Sequence, residues 1–158
     1  MCKKLVAYFS ATGNTAALAK RLAEAAGADL YEIAPEVPYV VPGDLNWSDK
    51  TSRTTLEMTN LDSRPAIKNT DAKVENYDTV FVGFPIWWWI APTIINTFLE
   101  KYNFTGKKLV LFATSGGSGF GKAVDNLQKS CPGIKIIEGK VFKTDARLEE
   151  LKVFANQY

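Results

Sequence analysis

Five short apolar runs are spread along the chain, and apolar residues recur every three or four positions in most segments between them. The runs cover residues 4–9, 30–34, 79–84, 108–113 and 135–142. Because they are continuously apolar rather than alternating, they indicate parallel strands that are covered on both faces. Their alternation with helices predicts an α/β doubly wound three-layer sandwich, in which a five-stranded parallel sheet has the order 2-1-3-4-5.

The helices are predicted from the spacing of apolar residues between the runs. They cover residues 14–26, 92–101, 120–129 and 146–156. Gly27 is placed to end the first helix, and Thr144 or Asp145 is placed to cap the last. A chain of 158 residues has the length of one ordinary domain, so we predict a single domain over residues 1–158.

The segment from about residue 35 to residue 76 is irregular and rich in Pro, Thr, Ser, Asp and Asn. We predict one helix in it, at about residues 53–60, capped by Ser52 or Thr51. The remainder is too long for an ordinary connection, and long loops of this kind are usually either functional or disordered.

The composition excludes several classes of function. There is no histidine, which removes Ser-His-Asp and Cys-His catalysis, imidazole zinc sites and histidine acid–base chemistry. Two cysteines, Cys2 and Cys131, are too few for a disulfide scaffold or a cysteine metal site, and they indicate reduced thiols in a cytoplasmic protein. The net charge is only +2 and the basic residues are scattered, so no nucleic-acid partner is expected. No apolar run approaches the roughly 20 residues of a membrane span, so no membrane association is expected either.

The first run leads directly into a helix through a short polar loop. Ligands of open parallel sheets bind at the carboxyl ends of strands, and a helix N-terminus offers unpaired N–H groups to a phosphate. Gly13 allows a close approach of the backbone, and four side chains add donors: Ser10, Thr12, Asn14 and Thr15. The loop has no Lys or Arg and a single glycine, unlike a triphosphate-binding or dinucleotide-binding loop. It therefore suits one phosphate monoester, although the same residues would also serve simply to cap the helix.

The sequence from Ser10 to Thr15 resembles the phosphate-binding signature of the flavodoxin family, and it follows the first strand as it does there. Two further segments fall where flavodoxins have their other flavin-contacting loops, so the resemblance extends over nearly the whole chain. It implies flavin mononucleotide (FMN) as the cofactor, with its phosphate held by Ser10, Thr12, Gly13, Asn14 and Thr15.

Three adjacent tryptophans, Trp87 to Trp89, follow the third run at a strand-to-helix turn. Neighbouring residues face different ways, so these rings cannot all enter the core, and at least one is expected beside the ligand. The segment resembles the Pro-Ile-Trp-Trp loop of one branch of flavodoxin-like proteins. That resemblance implies that Pro85, Ile86, Trp87 and Trp88 contact the isoalloxazine ring. The alternative is that the tryptophans only cover the top of the fold.

Glycine is dense in residues 115–121, after the fourth run. Such density indicates that the backbone comes close to another group, and at the carboxyl end of a strand that group is expected to be the ligand. The corresponding flavodoxin loop bonds the pyrimidine edge of the flavin through its backbone. The resemblance implies this role for Ser115, Gly116, Gly117 and Gly119.

The irregular segment also resembles that branch, and two interpretations of it stay open at this point. Trp47 or Tyr39 would form a second flavin wall or a lid. Alternatively, these residues fix the segment against the body of the protein, with Arg53 and Arg64 paired to carboxylates or carbonyls.

The resemblance implies electron transfer, in which the flavin carries the redox chemistry and the protein tunes it. The partners would then be a reductase and an acceptor protein, or small quinone-like acceptors. The alternative is an FMN-dependent NAD(P)H:quinone or nitro-compound oxidoreductase of the same superfamily. Carrier flavodoxins are strongly acidic, whereas this chain has an isoelectric point near 8.5 and no acidic stretch, which favours the alternative.

Overall fold

The structure, a computed structural model, describes residues 3–115 and 117–158, and its central element is one parallel sheet of five strands. The strands are β1 (Lys4–Tyr8), β2 (Asp29–Glu32), β3 (Thr79–Pro85), β4 (Lys108–Thr114) and β5 (Ile136–Phe142). Their order in the sheet is β2-β1-β3-β4-β5, which confirms the predicted 2-1-3-4-5 topology. The helices are α1 (Asn14–Ala26), α2 (Arg53–Thr59), α3 (Thr93–Lys101), α4 (Ala123–Gln128) and α5 (Leu148–Ala155).

Two apolar layers cover the sheet, one on each face, so the predicted three-layer sandwich is confirmed. Leu18 of α1 and Phe154 of α5 pack in one layer, against residues of the central strands such as Phe81. Ile94 of α3 and Leu127 of α4 pack in the other layer. The central strands β1, β3 and β4 are therefore buried on both faces, as their continuous apolar runs predict.

The two edge strands depart from the expectation of continuous burial. Leu30 of β2 is 40% exposed, and buried or half-buried residues alternate with exposed ones along much of β5. An edge strand has a neighbour on one side only, and the helices that cover the centre of the sheet leave part of its surface in contact with solvent. The continuous apolar runs thus predicted β2 and β5 correctly as strands, but the prediction that both faces of these strands are buried is wrong.

Two helices begin two or three residues later than the spacing of apolar residues predicts. α4 begins at Ala123 rather than at residue 120, and α5 begins at Leu148 rather than at residue 146. Arg21 of α1 donates to the backbone carbonyls of Thr144 and Ala146, which holds residues 144–146 as a loop. The prediction that Thr144 or Asp145 caps α5 is therefore wrong, because the residue that precedes α5 is Arg147.

The irregular segment contains α2 and is closed at its base. The Ser52 hydroxyl accepts a hydrogen bond from the N–H of Thr55, which confirms Ser52 as the cap of α2. α2 divides the segment into a first arm, residues 35–52, and a second arm, residues 60–76. Pro35 and Ile67 form an isolated antiparallel bridge between the two arms. Among the helices of the described residues, none is long and apolar enough to cross a membrane.

Cys131, which follows α4, is predicted to be a poorly reactive thiol. Burial raises the pKa of the Cys131 thiol to about 11, well above the roughly 8.5 of an unfolded cysteine. At pH 8.5 we expect alkylation in a Cys2→Ser background to be about 100-fold slower in the folded protein than in the urea-unfolded chain. Because the pKa of the thiol is higher in the folded protein than in the unfolded chain, deprotonation of Cys131 favours unfolding. The free energy of unfolding is therefore unaffected by this thiol below about pH 8.5 and falls as the pH rises towards 11. Equal alkylation rates in the two states would contradict the prediction.

Candidate functional site

A cavity of about 1060 Å³ opens at the carboxyl edge of the sheet, where β1, β3, β4 and β5 end. This volume lies at the upper end of the range that small-molecule sites occupy in proteins. Ten of the predicted site residues line it: Thr12, Asn14, Thr15, Pro85, Ile86, Trp87, Trp88, Ser115, Gly117 and Gly119. Ser10 and Gly13 belong to the same loop but do not line the cavity, and Gly116 lies outside the described residues.

The loop after β1 presents the open N-terminus of α1 to this cavity. Gly13 has a φ of 95°, a left-handed conformation that glycine adopts without strain, and its N–H donates to the Ser10 hydroxyl at 3.0 Å. Among the described residues no side chain caps α1, and the N–H groups of its first turn, beginning at Asn14, have no partner within the helix. Ser10 thus shapes the turn, while Thr12, Asn14 and Thr15 line the cavity.

Thr114, the last residue of β4, connects this strand to the start of α1 and to the end of β3 through hydrogen bonds at the cavity. Its hydroxyl lies 2.8 Å from the hydroxyl of Thr15, and both side chains are buried. Its carbonyl accepts a hydrogen bond from the N–H of Ile86 at 3.0 Å. Sequence reasoning missed Thr114, although a polar residue at the end of an otherwise apolar strand was a signal that could have found it.

The tryptophan segment forms a tight turn at the end of β3. Trp87 and Ile90 exchange two backbone hydrogen bonds, of 3.0 and 3.1 Å, and the two residues between them have left-handed backbones. The φ angles of Trp88 and Trp89 are 48° and 62°, which costs about 1–3 kcal/mol for each residue that is not glycine. Trp87 and Trp88 line the cavity, whereas Trp89 is 65% exposed and does not. The turn therefore maintains a strained backbone at the point where it presents aromatic rings to the site.

Gly121 supports this turn from the adjacent loop. It has a φ of 57°, and a Cβ atom placed on it would lie 2.4 Å from the carbonyl oxygen of Trp89. That carbonyl also accepts a hydrogen bond from the N–H of Lys122 at 3.0 Å. We expect Gly121→Ala to lower the free energy of unfolding by about 1–3 kcal/mol and to displace the tryptophan turn. Urea unfolding and tryptophan fluorescence would measure the two effects.

Gly119→Ala is the matched control for that variant. Gly119 lies in the same loop, its backbone is not left-handed, and a Cβ atom placed on it would meet nothing within 4 Å. We expect its unfolding free energy to change by less than about 1 kcal/mol. Equal losses in the two variants would show that Gly121 has no special contact with the turn.

The irregular segment contributes a further part of the cavity lining through Leu45 and Trp47. Trp47 is 73% exposed, and its ring meets that of Trp88 edge-on, with the centroids 6.5 Å apart. Both interpretations of the segment therefore describe part of it. Trp47 borders the cavity, while Arg53 and Arg64 form ion pairs with Glu57 and Glu100, at 3.0 and 3.1 Å.

The end of β5 adds a part of the lining that sequence reasoning missed. This part comprises Val141, Phe142, Lys143, Thr144 and Asp145. Lys143 is the only Lys or Arg, and Asp145 the only acidic residue, among the described residues that line the cavity. The signal was available, because β5 is parallel to the other strands and its carboxyl end must lie at the same edge of the sheet. Thr54 of α2 was missed as well, and no local pattern marked it.

The lining has two chemical characters. Hydroxyls, one amide and unpaired N–H groups surround the start of α1, where no carboxylate of the helix's first turn opposes an anion. Apolar and aromatic side chains, including Ile86, Trp87 and Trp88, form the neighbouring walls. Within residues 3–115 and 117–158 there is no cluster of three or more potential metal ligands. The cavity suits a ligand that combines a phosphate with a planar apolar ring.

Fold and cavity together define a doubly wound α/β protein with a large cavity at the carboxyl edge of its sheet, the edge where proteins of this architecture bind their ligands. The sequence profile of the flavodoxin family matches residues 3–158. The chain therefore belongs to the flavodoxin family. No curated protein sequence matches it significantly.

Solved structures agree with this assignment. A candidate flavoprotein from Bacteroides eggerthii DSM 20697 is 44% identical, with a TM-score of 0.92 over 99% of this chain and 98% of that one. A candidate flavoprotein from Bacteroides uniformis ATCC 8492 is 46% identical, with a TM-score of 0.91 over 98% of both chains. A flavoprotein from Lactobacillus acidophilus NCFM, solved in complex with FMN, is 21% identical, with a TM-score of 0.69 over 98% of this chain and 99% of that one. At that identity the likeness shows the fold alone.

Proposed function

We propose that this chain binds FMN in the strand-end cavity and carries electrons between redox partner proteins in the cytoplasm. One observation carries the proposal: the uncapped N-terminus of α1 and the tryptophan turn at Trp87 and Trp88 face the same cavity. The first suits a phosphate and the second suits an aromatic ring, and FMN joins both groups in one molecule.

The residues present fit that cofactor. Thr12, Asn14 and Thr15 supply neutral donors for a phosphate monoester, beside the unpaired N–H groups of α1. A Cβ atom placed on Gly117 or Gly119 would meet none of the described residues within 4 Å, and both glycines line the cavity, so a ligand can approach their backbones closely. When bound, the flavin supplies one- and two-electron redox chemistry. The side chains of Ile86, Trp87 and Trp88 then exclude water from the ring, while backbone groups hold its polar edge.

A second function is supported by the charge of the chain and by the extent of the cavity. The net charge of +2 gives no strongly acidic surface to steer a basic protein partner. The cavity also continues beyond the phosphate loop and the tryptophan turn to Lys143 and Asp145 at the end of β5. These features suit an FMN-dependent NAD(P)H oxidoreductase that reduces quinone-like or nitro compounds.

Titration of the purified protein with FMN tests the cofactor. We expect flavin absorption bands that shift on binding, together with quenching of tryptophan fluorescence, because Trp87 and Trp88 line the cavity. An unchanged spectrum and unchanged fluorescence in excess FMN would overturn the proposal.

Addition of NAD(P)H and a quinone to the FMN-loaded protein then separates the two functions. Steady turnover without a reductase supports the enzyme, and its absence supports the carrier.

A further inference from the structure

Three residues form a compact polar cluster behind the tryptophan turn, outside the cavity lining. Arg53 and Glu57 lie one turn apart on α2, and Tyr39 comes from the first arm of the irregular segment. We refer to Tyr39, Arg53 and Glu57 as the Arg53 clamp. None of the three is among the residues that line the cavity, so any effect on a ligand must pass through other side chains.

Arg53 holds the irregular segment at several points. Its guanidinium donates to the carbonyl oxygens of Val37 and Pro38, at 2.6 and 3.2 Å. Its Nε atom donates to Glu57 Oε2 at 3.0 Å, and its guanidinium carbon lies 3.7 Å from the centre of the Tyr39 ring. The side chains of Arg53 and Glu57 are only 21% and 14% exposed, so solvent screens this pair less than an ordinary surface ion pair.

Tyr39 connects the clamp to the tryptophan turn. Its hydroxyl donates to Glu57 Oε1, and burial together with this bond raises the pKa of Tyr39, so it remains a neutral donor. Its ring lies 5.7 Å from that of Trp87 and 5.5 Å from that of Phe9, measured between centroids. Phe9 in turn meets Trp87 edge-on at 5.6 Å. Two rings, those of Phe9 and Tyr39, therefore hold the indole of Trp87 in place. The position of the Tyr39 ring in turn depends on the Arg53 clamp.

The same segment continues from Tyr39 to the part of the cavity lining that Leu45 and Trp47 form. Val40 and Asp44 close a turn through two hydrogen bonds, of 2.8 and 2.7 Å, and Leu45 and Trp47 follow directly. The position of Tyr39 consequently influences two aromatic residues of the lining: Trp87 by contact and Trp47 through the chain. Only seven residues lie between Tyr39 and Trp47, so no long linker separates the two rings along the chain.

We propose that Arg53, acting with Tyr39 and Glu57, is a positioning residue that holds Trp87, and through the chain Trp47, in place in the cavity lining and thereby sets the affinity for flavin. This inference rests on the proposed binding of FMN. Removing the guanidinium releases residues 37–39 and the Tyr39 ring together, which loosens the support of Trp87. A ring-binding site is sensitive to looseness of about 1 Å in the groups that support it.

Arg53→Gln tests the proposal, and Arg64→Gln is its matched control. Arg64 belongs to the same irregular segment, pairs with a glutamate at 3.1 Å and donates to two backbone carbonyls. It anchors to Glu100 of α3, however, and among the described residues it makes no hydrogen bond or cation–π contact with an aromatic residue of the cavity. We expect FMN affinity to fall about tenfold in Arg53→Gln and by less than about twofold in Arg64→Gln. We also expect a changed near-ultraviolet circular dichroism of the tryptophans, before any FMN is added, in Arg53→Gln alone.

Equal losses of affinity in the two variants would overturn the positioning role, because they would reflect only the general anchoring of the segment. If the natural chain does not bind FMN, the proposed function fails. The dichroism of the ligand-free variants still decides whether Arg53 holds the tryptophans, and an unchanged spectrum overturns that role.

Tyr39→Phe keeps the inference testable if Arg53→Gln does not fold. It retains the ring against Trp87 but removes the hydroxyl that bonds Glu57. We expect an affinity for FMN about threefold weaker and a smaller change in dichroism. Natural affinity with natural dichroism in this variant would contradict the role of the clamp.

Discussion

Asn14→Asp is expected to weaken the binding of FMN about 100-fold, while its binding of riboflavin changes by less than about threefold. Asn14 is the first residue of α1 and lines the cavity, and aspartate has the same shape but adds a negative charge. A phosphate at this helix N-terminus would face that charge at short range, whereas riboflavin has no phosphate. Titrations with both ligands, followed by flavin absorbance and tryptophan fluorescence, measure the difference.

The variant is informative because loss of the fold is not expected to explain its effect. The first turn of α1 contains no acidic residue, and a carboxylate there stabilises a helix by about 0.3–1 kcal/mol. Asn103→Asp is the matched control, since it makes the same change of charge at the amino edge of the sheet, between α3 and β4. Asn103 accepts a hydrogen bond from the N–H of Thr105 at 3.0 Å, and aspartate can keep it. Equal weakening in both variants, or equal loss of riboflavin and FMN in Asn14→Asp, would argue against a phosphate at α1.

Gly83→Ala is expected to lower the free energy of unfolding by about 3 kcal/mol or more, the largest loss of stability predicted for this chain. Gly83 of β3 is paired with Phe112 of β4, and a Cβ atom on it would lie 2.1 Å from Cζ of the Phe112 ring. That ring is fully buried, so it has no free space into which it can turn. Urea unfolding followed by circular dichroism measures the loss.

A second substitution identifies the clash as the cause. Phe112→Leu shortens the opposing side chain, so the double variant should be more stable than Gly83→Ala alone, although each single change is destabilising. Gly133→Ala is the control, because a Cβ atom there would meet only Thr105 Oγ1, at the ordinary distance of 3.9 Å. A Gly83→Ala protein as stable as Gly133→Ala would show that the sheet can accommodate the methyl group.

Local signals predicted most of the fold. α1 has the predicted bounds, residues 14–26, and Gly27 ends it with a left-handed backbone, its φ being 62°. The central strands were recognised because burial on both faces requires an uninterrupted apolar run, which the sequence displays directly. Where the prediction of the start of α5 failed, a side chain distant in the sequence sets the boundary. Arg21 holds residues 144–146 out of α5, and nothing near residue 146 indicates that contact.

The residues of the candidate site likewise fall into two groups, those that local patterns predicted and those that depend on contacts between distant segments. The loops after β1, β3 and β4 were predicted because polar, tryptophan-rich and glycine-rich segments follow apolar runs, and parallel strands bring their carboxyl ends to one edge. Contacts between distant segments were not predictable from such patterns. They include the hydroxyl pair of Thr15 and Thr114, and the packing of Tyr39 against Trp87.

The sequence by itself thus determined most strands and helices and the three loops that meet at the carboxyl edge, because periodicity and turn chemistry are local properties of the chain. The order of the strands followed from the match between their alternation with helices and the doubly wound architecture. Only the tertiary structure decided how those loops are supported. It placed Trp47 beside Trp88 in the cavity lining, added Lys143 and Asp145 from the loop after β5, and packed Tyr39 of the Arg53 clamp against Trp87. These placements depend on side-chain packing between segments separated by tens of residues, which no local pattern records.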